Sequence, residues 1–292
     1  SNSAQDPGML SATSLIPSNV LLTGEMPPSD GFYSQVNYKG AFGSNNWAAG
    51  WTYTSGDKRT FDNSKPTKII TDAMSSGTVN FSKDTIYVLN GLVFVASNET
   101  LNIEAGTVIK GKPGAGASAS ALVVAKGGTI NANGTAADPI IMTYESDNGT
   151  PQLSNVKGQW GGLIILGNAG LNSSPGSTQI EGIPTNEPRG IYGGSNDSDN
   201  SGIIRYVSIR HGGTDIGAGN EINGLTLGGV GSGTTIEYIE VVANKDDGVE
   251  FFGGTANTKY LITAYCGDDS FDYDEGFRGK GQFWVTVQDD DS

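Results

Sequence analysis

The segment Asn244-Lys245-Asp246-Asp247-Gly248-Val249-Glu250-Phe251-Phe252-Gly253-Gly254 returns in altered form as Cys266-Gly267-Asp268-Asp269-Ser270-Phe271-Asp272-Tyr273-Asp274-Glu275-Gly276. Asp246 and Asp268, Asp247 and Asp269, Glu250 and Asp272, and Gly254 and Gly276 are each 22 positions apart. Asp290 and Asp291 continue the spacing. The apolar run before each acidic pair repeats too, as Ile239-Glu240-Val241-Val242, Leu261-Ile262-Thr263-Ala264 and Phe283-Trp284-Val285-Thr286. A period near 22 residues is one coil of a solenoid. Three short strands and three turns fill it at ~3.3 Å per residue. Leucine-rich repeats have similar lengths, but their leucine-asparagine pattern is missing. The repeat therefore predicts an all-β fold, a right-handed parallel β-helix.

Outward from the repeat, short β-branched runs closed by Gly, Asn or Asp recur from about residue 67. Thr85-Ile86-Tyr87-Val88-Leu89, Ala121-Leu122-Val123-Val124 and Gly162-Leu163-Ile164-Ile165-Leu166 are examples. They are too short for helices and carry no 3.6-residue period. Residues 67–292 would form roughly ten coils. The Ser-, Asn-, Gly- and Pro-rich stretches 145–159 and 170–201 read as excursions from them. Residues 1–66 form a separate extension. Eight aromatics lie between Phe32 and Phe61, in spacing that suits no strand. That block is expected to cap the first coil, where an apolar end would otherwise be open. The alternative is an aromatic platform for sugar rings.

Composition narrows the function. The net charge of −14 excludes nucleic acid as a natural partner and favours divalent cations or basic surfaces. The single cysteine, Cys266, excludes a disulfide within the chain and reads as a small buried hydrophobe. The single histidine, His211, follows Arg210 and precedes Gly212-Gly213, and reads as structural rather than as a general base. Gly-x-Gly runs such as Gly228-Gly229-Val230-Gly231 precede no helix, so nucleotide binding is a poor reading. No apolar stretch is long enough to span a membrane as a helix. The start, Ser1-Asn2-Ser3-Ala4, reads as a processed end, after a removed signal peptide or a lipidated cysteine.

Asn200-Ser201-Gly202-Ile203-Ile204-Arg205-Tyr206-Val207, Glu221-Ile222-Asn223-Gly224-Leu225, Asp246 to Thr255 and Gly267-Asp268-Asp269-Ser270 carry a resemblance. Trp160-Gly161-Gly162-Leu163-Ile164 and Ala105-Gly106-Thr107-Val108-Ile109 extend it to about residues 84–288. The chain resembles the secreted or lipid-anchored right-handed β-helix proteins of Bacteroidota-type bacteria. The resemblance implies an extracellular or outer-surface location and type IX secretion, and it carries over no activity. Such proteins often continue into further coils and a sorting domain. Here the chain stops inside a repeat, so a longer protein is expected.

The acidic ladder is where chemistry is expected. Asp246, Asp247, Glu250, Asp268, Asp269, Asp272, Asp274 and Glu275, with Asp289, Asp290 and Asp291, hold eleven of the 31 carboxylates. Stacked coils bring like charges ~4.8 Å apart, where carboxylates either protonate or share a cation. Ca2+ suits such an oxygen cage. The plainer alternative is that Asp-Asp-Gly only forms turns. A third reading is a polysaccharide lyase or glycoside hydrolase, with paired carboxylates and Arg205, Arg210, Arg278 or Lys280 as base. Repetition argues against it, because a catalytic pair should be unique. The expected function is thus a secreted or surface binding protein, acting in adhesion, glycan binding or assembly with other surface proteins or with itself.

Overall fold

The computed structural model describes residues 16, 25–57, 60–72, 77–151, 154–217 and 220–288. Asp289, Asp290 and Asp291 lie outside the described residues. The fold is a right-handed parallel β-helix: neighbouring strands within its two main sheets pair in parallel, at successive coils, the handedness that parallel crossovers take. The only helical pieces among the described residues are two 3-10 turns of three residues. No described helix is long and apolar enough to cross a membrane.

Each coil has three faces. The first holds Thr78–Phe81, Thr100–Ile103 and Thr129–Asn133, then the opening halves of Gly202–Arg210, Thr235–Val242, Asn257–Ala264 and Gly281–Val287. The second holds Thr67–Thr71, Ile86–Asn90, Val108–Gly111 and Ile140–Tyr144, then the closing halves of those long strands. The third is a six-stranded sheet: Leu92–Val95, Ala121–Val124, Leu163–Leu166, Leu225–Gly228, Val249–Phe252 and Phe271–Asp274. Six strands on this face mean fewer coils than the ten expected, because excursions consume the difference. Alternate side chains point inward, and Leu122, Leu163, Leu225, Val249 and Phe251 of the third face meet Leu101, Ile130, Ile204 and Ile209 in one apolar core.

The corners repeat as strictly as the strands. Tyr206, Tyr238, Tyr260 and Phe283 all adopt positive φ (50°, 56°, 60° and 62°) where the first face bends into the second. Left-handed backbone is costly for bulky residues. Here the rings offset the cost by stacking coil on coil, with centroids 4.4, 4.3 and 4.8 Å apart. This column also corrects the third repeat. Leu261 pairs with Trp284, not Phe283, so the last coil is one residue longer than 22 and Phe283 occupies the corner.

The aromatic N-terminal segment is irregular, as expected, but apart from Phe61 its rings lie away from the first coils. Trp51 packs edge-on to Tyr206, Trp47 to Tyr238 and Tyr260, and Tyr38 stacks on Phe283. The segment is a strap along the flank of the later coils. The physical reason is the column itself, a continuous row of rings that needs cover. The second and third faces are thatched in this way, and Phe32 and Ser34 of the strap reach the first face of the last coils at Lys259 and Gln282. Phe61 covers Ile86, Val88 and Val108 on the second face, and the strap covers Ile262 and Val242 further along. The excursion 170–201 lays Ile180, Ile183 and Tyr192 over Phe94, Val123 and Ile164 on the third.

Candidate metal centre

The acidic residues gather at the start and on the outer side of the third face. Glu250 follows Val249, which points into the core, so it points outward; Thr226 and Asp272 flank it in register. Asp247 sits in the turn before that strand. Its Oδ1 accepts the Asp269 N–H one coil on, at 2.8 Å. Gly248 behind it is required, because a Cβ there would come within 2.6 Å of the Ser270 carbonyl. Turn formation, the plainer reading, is thus part of what Asp247 does. It accounts for one oxygen of one residue and not for the crowding around it.

Carboxylate oxygens of Asp247, Glu250 and Asp272 lie within 4.8 Å of one another, as do those of Asp246, Asp247 and Asp268. Asp247 and Glu250 are 8 % and 7 % exposed. Burial pushes the Asp246 carboxyl up to about 6, with help from Glu221 and Glu181. It pushes Asp247 up to about 7, with Asp246 and Asp272 adding. Glu250 is raised furthest, by burial and then by Glu181 and Asp247. Among the described residues, no lysine or arginine forms an ion pair with any of the eight predicted residues. Asp274 and Asp269 are exposed, and Glu275 is at a positive-φ corner after Gly229 and Gly253. These three stand outside both close groups.

Two members were not anticipated. Asn223 Nδ2 donates to Glu250 Oε2 and, at 3.2 Å, to Glu181 Oε1, while its Oδ1 is buried without a partner. Because Leu225 pairs with Val249, Asn223 occupies the Asp247 position one coil earlier. The signal was present in Asn223-Gly224 against Asp247-Gly248, but that coil is longer than 22 residues and hides the match. Glu181 arrives on the excursion, and no pattern in the sequence announces it.

The other reactive candidates are occupied elsewhere. Arg278 pairs with Asp197, Lys280 with Asp30 and Arg205 with Glu237. His211 is buried, its Nδ1 2.7 Å from the Val156 carbonyl, and burial holds its pKa below the usual range. Burial pushes the Cys266 thiol up to about 12, so it is no nucleophile.

A pH dependence follows. Asp246, Asp247 and Glu250 have folded pKa values above their unfolded ones, so the folded chain holds protons that the unfolded chain releases. Their contribution is intact below pH ~4 and is lost as pH rises through about 6 and 7. His211 acts oppositely, losing stability as pH falls below ~6.5, but it is one group against three. In chelator the protein should melt higher at pH 5.5 than at pH 8, and Asp247→Asn should shrink the difference. A melting temperature that rises with pH across this range would contradict the burial of these carboxyls.

A model of the family described as pectate-lyase-like β-helix domain matches residues 72–292. No curated protein and no solved structure matches the chain.

Proposed function

The chain belongs to the pectate-lyase-like β-helix domain family, and from that premise we propose that it is a non-catalytic, cation-clamped scaffold that binds glycan chains outside the cell. The observation that supports the clamp is the convergence of Asp247, Glu250 and Asp272, two of them buried, with no cationic side chain paired to them among the described residues. Buried carboxylates in that arrangement either keep protons or share a cation. Ca2+ fits the donor set, since carboxylates and the Asn223 carbonyl oxygen are hard oxygen ligands. When bound, the ion would neutralise the cluster and tie Glu181, on the excursion, to the coil beneath it.

A glycosidase reading has one point in its favour: the oxygens of Asp247, Glu250 and Asp272 are about as close as those of a retaining pair. Burial weighs against it, because Asp247 and Glu250 expose little surface to a sugar ring. In the scaffold reading the protein works at the outer cell surface or in the medium, in adhesion or assembly. Its partners are glycans or other surface proteins. Export by type IX secretion belongs to the same reading.

A thermal melt tests it. Calcium at ~1–5 mM, enough to fill weak extracellular sites, should raise the melting temperature at pH 7.5 by roughly 3 °C over chelator. Asp272→Asn should reduce the rise. An unchanged melt, together with cleavage of a polysaccharide, would replace the scaffold by an enzyme.

A further inference from the structure

We propose that the uncovered first face, over the first coils, binds a neutral, extended polysaccharide. This rests on the glycan-binding reading above and assigns it a surface. The second and third faces carry the strap and the excursion, and the strap reaches the first face at Lys259 and Gln282 of the last coils. Among the described residues nothing covers the first face at Thr78–Phe81, Thr100–Ile103 and Thr129–Asn133. There the strands read Thr-Val-Asn, Thr-Leu-Asn and Thr-Ile-Asn. The middle residues point into the core, and the flanking ones point out.

The result is a grid. Thr78, Thr100 and Thr129 stand in one column, and Asn80, Asn102 and Asn131 in the next. Steps are ~4.8 Å between coils and ~6.6 Å along each strand. The amides are already ordered. Asn102 Nδ2 donates to Asn80 Oδ1 at 2.8 Å, and Asn131 Nδ2 to Asn102 Oδ1 at 2.9 Å. Amide ladders also help coils stack, and threonine suits a half-exposed strand, but neither role uses the threonine hydroxyls. These hydroxyls have no partner among the described residues, and each can donate and accept. A row of groups with both capacities, at fixed spacing and without charge, complements sugar hydroxyls.

Charge selects the ligand class. The chain is strongly acidic, so a carboxylated chain would meet repulsion unless a metal intervened. The grid itself carries no charge; the next outward position along the strands holds Glu104, paired with Lys83, on the early coils and Arg205, Glu237 and Lys259 on the later ones. The ligand is therefore a neutral polysaccharide lying along the solenoid axis of the early coils.

The experiment is a pull-down and affinity electrophoresis of the whole chain, in chelator, on cellulose, arabinoxylan, mixed-linkage β-glucan and polygalacturonate. At least one neutral polysaccharide should retain the protein. Thr100→Glu should weaken retention at least tenfold with the melt unchanged, and Asn186→Glu, exposed on the excursion, should not weaken it. Asn102→Ser removes a ladder rung without adding bulk and should also weaken it, which keeps the test usable if the charged variant misfolds. Retention that survives both grid variants would overturn the assigned surface and leave glycan binding standing. Failure of every neutral polysaccharide to bind would also overturn it. Binding to polygalacturonate alone, seen only once calcium is restored, would overturn it while supporting the clamp.

Discussion

Replacing Glu240 with alanine should cost about 3–5 kcal/mol of stability, the penalty for breaking a buried ionic network by removing one partner. Glu240 is fully buried at the junction of the strap with the second face. It accepts the Tyr53 and Thr54 N–H groups at 2.8 Å each, the Thr54 hydroxyl at 2.7 Å and the Ser208 hydroxyl at 2.6 Å. Arg210, equally buried, donates to that same Ser208 oxygen and lies over the Tyr53 ring. Alanine would leave the guanidinium without its main neighbouring carboxylate and several donors without an acceptor. Glu240→Gln keeps an acceptor and should cost less. The strap should loosen first, so limited proteolysis within residues 25–57 should accelerate before global unfolding. A Glu240→Ala protein with unchanged melting and unchanged cleavage of the strap would show that the strap is held by its rings alone.

Trp160→Ala should cost a comparable 3–5 kcal/mol, through cavity formation, and lower the melting temperature by roughly 5–10 °C. Trp160 is fully buried, and its Nε1 donates to the Arg210 carbonyl at 2.8 Å. Its ring lies directly on Gly111 of the neighbouring coil, where a Cβ would come within 2.6 Å. The glycines after it are equally constrained. A Cβ on Gly161 would meet the Ser120 carbonyl at 2.8 Å, and one on Gly162 the Asn223 carbonyl at 2.4 Å. Trp160-Gly161-Gly162 is thus a packing device at the end of an excursion. Gly111→Ala should reproduce part of the loss. Circular dichroism melts of the variants check both, and a melt within 1–2 °C of the parent for Trp160→Ala would contradict the close packing.

The fold was legible because a parallel β-helix writes its period into the chain wherever coils have equal length. Asp247 and Asp269, or Val249 and Phe271, announce it directly. It became illegible where excursions intervene, as between Thr129–Asn133 and Gly202–Arg210, strands that pair in space across a long gap in sequence. The course of the strap is illegible for a related reason. Aromatic enrichment shows that a segment must be covered or must cover something, but the tyrosine column emerges only once corners such as Tyr206 and Tyr238 are stacked. The candidate centre was half legible. Asp246, Asp247, Glu250, Asp268 and Asp272 lie in the repeat, whereas Asn223 was hidden by a longer coil and Glu181 comes from an excursion. The buried set of Glu240, Arg210 and Ser208 left no signal, since charged residues in a strand normally read as solvent-facing.

The most direct test of the clamp is calcium titration calorimetry on the metal-free protein at pH 7.5, in two buffers of different ionisation enthalpy. The account predicts saturable binding with a dissociation constant on the order of 10⁻⁴–10⁻³ M. It also predicts proton release, because ligating carboxyls must give up the protons that burial makes them hold. Asp247→Asn should weaken binding at least tenfold. Absence of binding at ~5 mM calcium, or binding indifferent to Asp247, would contradict the clamp and return these aspartates to turn formation alone.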